Sequence, residues 1–324
     1  MDTEEFTFID LFAGIGGMRL AFERVGGECV FSSEIDDDAI ATYEQNFGET
    51  PAGDIREIPS EEIPDHDVLL AGFPCPSFSI MGDKEGIDDD RGALFFEIER
   101  ILSEKQPHAF LLENVKHLTG IDGGEVYEFM IDQLEDAGYH VSSNVLNALD
   151  FGLPQKRERT IIVGFKENYK FSIPTKNTAS QDLDDVLLDD EAVDEQYEAT
   201  DYIKEKRAEA VNENNVFYPS VWHENRSGNV SVLPYSCALR ASASYNYLLV
   251  NGERHLTPRE MLRLQGFPDS FEVTGAFTNI RKQVGNSVPV PMIQAVAEEM
   301  LSAIEHGETL PETTQTTLSV DQQN

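Results

Sequence analysis

Three features are scarce in this sequence: positive charge, cysteine and long apolar segments. Its 324 residues hold 24 Lys and Arg against 60 Asp and Glu, so the formal net charge is −36. No run of about 18 apolar residues occurs, which argues against a membrane-spanning helix. The three cysteines lie far apart and form no C-x-x-C pair, so we expect free thiols and no disulfide framework.

The composition nevertheless indicates a folded chain. Hydrophobic residues make up 40% of it, and the length suits one large domain or two modest ones. The acidic N-terminal sequence, MDTEEF, lacks the basic residues of a signal or transit peptide. We therefore expect a cytoplasmic protein that contacts no membrane.

The charge has two interpretations. By itself, an acidic surface argues against nucleic acid as a partner, because nucleic acid is a polyanion. Alternatively, the acidity is an adaptation to a salt-rich cytoplasm, since Asp and Glu are spread along the whole chain. Residues 151–180 and 216–291 depart from this trend, with net charges of +4 and +2. Their cations are retained either to bind a polyanion or because these stretches are buried and carry few acids.

The first half of the sequence alternates apolar runs with segments of helical spacing. Strands are predicted at 6–12, 28–33, 67–73, 109–115, 139–146 and 159–165, and helices at 17–25, 36–47, 93–103 and 126–137. This alternation favours an α/β fold with a mostly parallel sheet covered by helices on both faces. Ligands of such folds bind beyond the carboxyl ends of the strands.

The pattern changes near residue 172. Residues 177–215 are polar and acidic, and residues 216–255 are rich in Ser, Asn, Tyr and Gly, which predicts a small irregular second domain. Helical signals return at 257–265, with a capping box formed by Thr257 and Glu260, and at 291–304. We expect residues 307–324 to be a disordered tail.

A glycine-rich turn, DLFAGIGG, follows the first predicted strand and opens the first helix. Such turns let a cofactor approach the backbone and the helix N-terminus. Arg19 stands where a dinucleotide fingerprint has its third glycine, so NAD is disfavoured. Glu34, which ends the second strand, can accept hydrogen bonds from a ribose. Asp54, at the end of a short third strand, is placed for an adenine amino group. These features favour S-adenosylmethionine; the alternative is a tight turn without a ligand.

Three further motifs end or precede strands at the same expected sheet edge. Cys75 lies in GFPCPSFS, on a turn bracketed by prolines, where neighbouring cations and helix N-termini can stabilise a thiolate. Glu113 ends a strand in LENV, where it faces the same crevice or merely caps the next helix. QKRER supplies Arg157 and Arg159 for orienting Glu113 or binding an anion, unless it is only a charged turn.

The last motif, QVGNSVP, precedes the C-terminal helix. Gly-Asn-Ser is turn chemistry that also offers polar groups to a ligand. Cys29 and Cys237 lack settings of this kind, and we interpret them as structural thiols.

In this order, the motifs resemble those of the DNA (cytosine-5)-methyltransferases of bacterial and archaeal restriction-modification systems. The segments that carry the resemblance are DLFAGIGG, GFPCPSFS, ENV, QKRER, LTPREMLRLQGFPDSF and QVGNSVPVPM. They cover nearly the whole chain except about 175–235 and the tail. The resemblance implies a Rossmann-like methyltransferase domain formed by 1–175 and 276–324. It also implies a target-recognition domain at 176–275.

The resemblance also implies an activity and its partners. A methyl group passes from S-adenosylmethionine to C5 of a cytosine flipped out of duplex DNA, without a metal, while Cys75 is bonded to C6 of the base. We expect a monomeric enzyme, acting beside a cognate restriction endonuclease. Its host is expected to be a halophile.

Residue roles follow from the matched motifs. As catalytic residues we expect Cys75 as the nucleophile, with Glu113, Arg159 and the supporting Arg157. As cofactor contacts we expect Phe12, Ala13, Gly14, Gly16, Glu34, Asp54, Phe73, Leu94, Asn286 and Ser287. As contacts to the DNA substrate we expect Pro74, Ser79, Asn114, Arg226, Arg240 and Ser242.

Three departures from the family pattern stand out. Pro76 replaces the usual Gln after the nucleophile, the following segment 79–91 is acidic rather than basic, and an acidic insert occupies 182–198. Two alternatives use the same scaffold: a tRNA cytosine-5 methyltransferase and a catalytically inactive DNA-binding relative. A CFT element typical of the tRNA enzymes is absent from the sequence.

Overall fold

The structure is a computed structural model that describes residues 1–3, 5–74, 90–177 and 181–310. Its centre is a six-stranded sheet with the order β2-β1-β3-β4-β7-β5. The strands of this sheet are β1 Phe6–Leu11, β2 Gly27–Ser33, β3 Val68–Gly72, β4 Ala109–Val115, β5 His140–Asn147 and β7 Glu158–Phe165.

The sheet is parallel except at β7. Strands β2, β1, β3 and β4 run in one direction, whereas β7 lies antiparallel between β4 and β5. The prediction of a mostly parallel sheet in an α/β fold is therefore confirmed. The carboxyl ends of β1, β2, β3 and β4 lie at one edge, and the antiparallel β7 begins at that edge, so its first residues join them.

Helices cover both faces of the sheet because buried residues alternate along its strands. Phe8, Leu70 and Leu111 point to one face, where they pack with helices α1, Gly17–Glu23, and α9, Val290–His306. Ile9, Leu69 and Leu112 point to the other face and pack with α3, Asp90–Lys105, and α4, Glu125–Asp136. Helix α2, Asp37–Phe47, follows β2.

The chain returns to the sheet at its C-terminus. Met292, Ile293 and Val296 of α9 are fully buried in the same core as Met18 and Phe22 of α1. Beyond α9, Thr309 pairs with Tyr169 as an antiparallel bridge. Paired backbone therefore continues past residue 307, where we expected the disordered tail to begin; residues 311–324 lie outside the described part.

The region predicted to be irregular contains a small antiparallel sheet. Strands β8 Val221–Glu224, β9 Val230–Leu233 and β11 Leu248–Val250 form it in the order β11-β8-β9. Two-residue strands β6 Gln155–Lys156 and β10 Ser236–Cys237 pair in parallel, which ties this region to the chain before β7. The proposed domain borders at 176 and 276 are not tested by this arrangement and stay a prediction.

Short helices surround that small sheet. They are α5 Leu183–Val186, α6 Asp201–Glu209, α7 Pro258–Leu264 and α8 Phe277–Asn286. Helix α7 begins with the predicted capping box of Thr257 and Glu260. The turn predicted within QVGNSVP is wrong for its first residues, because Gln283–Asn286 form the last turn of α8.

The acidic insert is folded against α7. Arg254 is 3% exposed and donates to both carboxylate oxygens of the buried Glu260, at 3.0 and 2.9 Å, and to Asp190 of the insert at 2.8 Å. Glu260 also accepts a hydrogen bond from the backbone N–H of Leu188. One buried ion pair thus fixes the insert to the body of the protein.

Candidate active site

The glycine-rich turn lies between β1 and α1 and is tightly packed on one side. Phe12, Gly14 and Gly16 all have positive φ, at 56°, 55° and 82°. A Cβ on Gly16 would lie 2.3 Å from the Phe47 ring, and one on Gly17 would lie 2.8 Å from Ser287 Oγ. Around Gly14, by contrast, a Cβ would meet no atom of the described residues within 4 Å. The turn therefore combines a rigid backbone with open space at one residue.

Glu34 is fixed beside this turn. Its Oε2 accepts the N–H of Gly14 at 2.7 Å, and its Oε1 accepts the N–H groups of Ile35 and Asp36, each at 2.8 Å. A carboxylate has about four lone-pair positions, so acceptor capacity remains for a ligand. The carboxylate that follows β2 thus contacts the glycine turn directly.

Asp54 lies at the same edge. Ala52 forms a bridge with Ser33, and Glu34 donates its N–H to the carbonyl of Ala52 at 2.9 Å. The predicted third strand before Asp54 is reduced to this single bridge. Hydrogen bonds from Arg56, the nearest at 2.5 Å, hold the pKa of the Asp54 carboxyl below its usual value.

The chain leaves β3 toward Cys75 at Gly72. Phe73 is buried, with its ring 6.2 Å from that of Phe95, whereas Pro74 is exposed and Leu94 of α3 is half-buried. Cys75 and Ser79 lie outside the described residues, as does most of the acidic segment 79–91.

Glu113 and Arg159 form the charged centre of this edge. Arg159 Nε lies 2.6 Å from Glu113 Oε1, and the side chains are only 13% and 10% exposed. The pairing of β4 with β7 aligns Arg159 with Val115, two residues beyond Glu113, which puts both side chains on the same face. A Cβ on Gly72 would lie 3.7 Å from Glu113 Oε2, so the carboxylate lies over the last residue of β3.

Asn114 contacts the backbone that leads to Cys75. It is 2% exposed, and its side-chain amide donates to the carbonyl of Phe73 at 3.0 Å. This bond ties the end of β4 to the end of β3. Asn114 therefore supports the backbone at the end of β3.

Arg157 donates its hydrogen bonds to backbone carbonyls inside the protein. It is 1% exposed and donates to the carbonyls of Leu239 at 2.8 Å, Gly285 at 2.9 Å and Ser287 at 2.5 Å. Burial, together with repulsion from Arg159, lowers the pKa of Arg157 to about 9. Arg157 therefore supports the C-terminal return of the chain, while Arg159 alone pairs with Glu113 among the described residues.

Ser287, which follows Asn286, reaches the glycine turn from the C-terminal part of the chain. Asn286 is exposed at the end of α8. Ser287 is 8% exposed, and its hydroxyl has no hydrogen-bond partner within the described residues although it faces the N-terminus of α1. A buried hydroxyl without a partner is uncommon and is typical of a ligand-binding position.

Two residues at this edge were given no role from the sequence. Asp10, the first residue of DLFAGIGG, is 1% exposed, and burial raises the pKa of its carboxyl well above the usual value. Lys282 of α8 forms an ion pair with Asp36, which caps α2 just after Glu34. The motif itself marked Asp10, whereas the Lys282 contact joins residues 246 positions apart and left no local signal.

The expected DNA contacts of the second region lie on two exposed segments. Arg226 is exposed between β8 and β9, while Arg240 and Ser242 are exposed on the segment that precedes β11. The Arg240 guanidinium lies 4.8 Å from the centre of the Tyr247 ring.

The thiols outside the motif fit a structural role. Cys29 and Cys237 are both partly buried and free. Burial raises the pKa of Cys29 to about 12 and that of Cys237 above its usual value, so neither supplies thiolate readily.

Within the described residues, no group of three potential ligands could hold a metal ion, and every helix is too short or too polar to span a bilayer.

Comparison with known proteins places these features in one family. The family model described as C-5 cytosine-specific DNA methylase matches residues 6–302. Type II methyltransferase M.HaeII of Haemophilus aegyptius is 54% identical over 301 residues, covering 93% of this chain and 94% of that protein. Type II methyltransferase M.NgoBI of Neisseria gonorrhoeae is 56% identical over 287 residues, covering 89% and 90%.

Solved structures share the fold. The S. pombe Dnmt2 methyltransferase superposes with a TM-score of 0.73 at 20% identity, covering 93% of this chain and 99% of that one. At this identity the likeness concerns the fold alone.

Proposed function

Because the chain belongs to the C-5 cytosine-specific DNA methylase family and is a DNA (cytosine-5)-methyltransferase of the Type II restriction-modification kind, we propose that it methylates a cytosine flipped out of duplex DNA. The methyl donor is S-adenosylmethionine and the nucleophile is Cys75. The observation that carries the proposal is the Glu113–Arg159 pair, fixed over Gly72 only three residues before Cys75. The target base must leave the helix, because a stacked ring cannot be attacked on its face.

The residues at the sheet edge fit the proposed cofactor. Glu34 keeps about one unused acceptor position for a ribose hydroxyl. Among the described residues, no atom would contact a Cβ on Gly14, and the Ser287 hydroxyl has no hydrogen-bond partner. Phe12, Ala13, Gly16, Asp54, Phe73, Leu94 and Asn286 complete the proposed cofactor contacts. When bound, the sulfonium supplies an electrophilic methyl group.

The chain's own groups carry the rest of the reaction. The Cys75 thiolate adds to C6 of cytosine, and the electron pair of the 5,6 double bond shifts toward N3 and O2. Arg159 donates toward O2 and stabilises the charge that arrives there, and Glu113 binds N3 through a proton that the two groups share. C5 then takes the methyl group, and the S–CH3 bond of the sulfonium breaks so that the donor would leave as a neutral thioether. A base removes the C5 proton, the freed electron pair restores the 5,6 double bond, and Cys75 leaves C6 as a thiolate.

The pair is suited to this task because each partner orients the other. The ion pair keeps Glu113 in one position within a nearly buried site, where electrostatic interactions are stronger than in water. Asn114 holds the Phe73 carbonyl, so the backbone before Cys75 starts from a fixed point. We propose Arg157 as a support and Pro74, Ser79, Asn114, Arg226, Arg240 and Ser242 as residues on the DNA side.

We also propose that the enzyme acts as a monomer in the cytoplasm, beside a cognate endonuclease. The target-recognition domain is proposed to span 176–275. The adaptation to high salt stays a prediction, and methylation that persists at molar KCl is its expected sign.

The test is bisulfite sequencing of DNA from a host that expresses the wild type or Cys75→Ala. The wild type is expected to methylate cytosine in one sequence motif, and Cys75→Ala is expected to methylate none while still binding S-adenosylmethionine. Methylation by the Cys75→Ala enzyme would refute the assignment of the nucleophile. A parallel assay with tRNA distinguishes the RNA alternative, which predicts methyl transfer to tRNA and none to duplex DNA.

A further inference from the structure

One exposed segment of the second region is held from inside by donors of several distant elements. This segment, residues 240–247, is here called the recognition loop, and its exposed side chains include Arg240, Ser242 and Ser244. Its carbonyl groups, and those of the two residues before it, accept hydrogen bonds from buried or half-buried side chains. The loop thus has an inner face fixed by protein and an outer face open to a partner.

Arg281 of α8 makes the central contacts to this loop. Its Nη2 donates to the carbonyls of Ala243 at 3.1 Å and Ser244 at 3.2 Å. Its guanidinium also lies 5.2 Å from the centre of the Tyr245 ring. One side chain therefore fixes three consecutive residues of the loop.

The backbone of α8 touches the loop one turn later. A Cβ on Gly285 would lie 2.6 Å from the backbone nitrogen of Ala241, so only glycine allows this approach. Helix α8 is in turn fixed to α2, where Asn279 donates to Asp38 at 2.7 Å and Gln283 accepts from Thr42 at 2.6 Å. Arg281 therefore extends from a rigid support.

Other donors hold the two ends of the loop. Arg157 binds the carbonyl of Leu239, and the Tyr247 hydroxyl donates to that of Ala238 at 3.1 Å. Arg207 of α6 is 1% exposed and donates to the carbonyl of Asn246 at 2.5 Å. These residues are buried, so Arg281 is the half-buried member whose loss perturbs the core least.

We propose that Arg281 is a positioning residue for the choice of DNA site: it holds the recognition loop so that Arg240, Ser242 and Ser244 meet the base edges in one geometry. This inference rests on the proposed function. A loop held by bonds to its backbone presents the same side chains to every DNA sequence, so a wrong base pair leaves polar groups unpaired. Without Arg281, the loop adapts to other sequences and discrimination falls.

The experiment compares Arg281→Ala, Arg281→Lys and the matched control Arg259→Ala. Arg259 is also half-buried on a short helix and also donates to a backbone carbonyl, that of Pro268, but away from the loop. The readouts are the methylated motif by bisulfite sequencing, kcat and KM for duplex DNA, and hydrogen exchange in residues 240–247. The wild-type motif defines the reference.

Arg281→Ala is expected to raise KM for cognate DNA about tenfold, which corresponds to the loss of hydrogen bonds from a charged donor. It is also expected to methylate near-cognate sites. It is also expected to exchange faster in 240–247, with kcat and S-adenosylmethionine affinity unchanged. Arg281→Lys should be intermediate, since an ammonium can bind one carbonyl but lacks the planar fork. Arg259→Ala should match the wild type.

The outcomes distinguish a failure of the proposed function from a failure of the role proposed for Arg281. A wild type that methylates no duplex DNA would contradict the proposed function itself. A wild type with a defined motif, together with an Arg281→Ala enzyme of unchanged motif, KM and loop exchange, would overturn only the role of Arg281. If Arg281→Ala does not fold, Arg281→Lys decides: a relaxed motif supports the proposal, and a wild-type motif and KM overturn it.

Discussion

The sheet edge and the recognition loop hold their functional side chains by different means. At the edge, Glu113 and Arg159 come from neighbouring strands, and the register of β4 and β7 fixes their relation before the ion pair adds to it. The recognition loop has no such register, and its shape depends on hydrogen bonds from Arg281 and Arg207 to its carbonyls and from Arg157 to the carbonyl of Leu239 just before it. The proposed chemistry thus rests on secondary structure, and the proposed site selection rests on tertiary contacts.

The comparison predicts its largest effect at the edge. Arg159→Ala is expected to lower kcat about 100- to 1,000-fold, because it removes a donor aimed at developing charge. KM for DNA should change little, because the recognition loop is intact. Single-turnover methylation of a cognate duplex measures the effect.

Glu158→Ala is the control for Arg159→Ala, since Glu158 is adjacent in sequence but pairs with Lys116 at the surface. Its kcat should stay at the wild-type value. An Arg159→Ala enzyme with a wild-type kcat would contradict the role assigned to the pair.

Arg157 connects the chain before β7 with Leu239, next to the recognition loop, and with the end of α8, so its removal should destabilise the protein. Arg157→Met leaves three carbonyls without their donor, and each unsatisfied buried group costs about 1–3 kcal/mol. We expect the free energy of unfolding to fall by about 3 kcal/mol in urea titrations. Arg263→Met, which removes a surface pair with Asp269, should cost less than about 1 kcal/mol. Equal losses for the two variants would argue against a bridging role for Arg157.

The cofactor side of the edge should respond to Glu34 without affecting site selection. Glu34→Ala removes a charged acceptor, and we expect weaker S-adenosylmethionine binding by about 10- to 100-fold in calorimetry. The methylated motif should be unchanged. Glu44→Ala on the exposed side of α2 serves as the control. Unaltered affinity in Glu34→Ala would remove Glu34 from the cofactor site.

The smallest expected effect is a pH dependence of the free energy of unfolding that comes from a histidine beside the recognition loop. His255 lies under this loop: its Nδ1 is 2.9 Å from the carbonyl of Tyr197 and its Nε2 is 2.9 Å from Asn246 Oδ1. Burial and the nearby Arg281 lower the pKa of His255, whereas the Tyr197 carbonyl and Glu198 oppose this. The folded state therefore favours the neutral ring.

The sign of the effect follows from that direction. Below the unfolded pKa of about 6.5, the unfolded chain binds a proton that the folded chain resists, so stability is lost as the pH falls. We expect a lower free energy of unfolding at about pH 5.5 than at about pH 7.5, and a smaller difference in His255→Asn. Burial also lowers the pKa of His66 and His223, so part of the decline should remain. An identical decline in His255→Asn would exclude His255 as a contributor.

Sequence reasoning was most successful where local pattern decides structure. The glycine turn, Glu34 and Glu113 follow from strands that end at one edge of a parallel sheet, and the structure places them there. Helix α8 was missed because Gly285 and Asn286 look like a turn; the glycine is there because the Ala241 backbone approaches it. The small sheet was missed because its strands are short and its order depends on tertiary pairing.

The arginines of the two positively charged stretches show the same limit of sequence-based prediction. The positive balance of 151–180 and 216–291 was compatible with a polyanion or with burial, and the structure contains both situations. Arg157 and Arg254 are buried and bind other groups of the protein, whereas Arg226 and Arg240 are exposed. Net charge by segment cannot separate them, because the carbonyls that Arg157 binds lie at least 82 residues away in sequence.

The division of labour between the two regions is tested most directly by bisulfite sequencing of host DNA methylated by Arg159→Ala and by Arg281→Ala. We predict that Arg159→Ala lowers methylation at every cognate site and keeps the motif. Arg281→Ala should retain methylation but spread it to near-cognate sites. A relaxed motif in Arg159→Ala, or an unchanged motif with lost methylation in Arg281→Ala, would contradict the account.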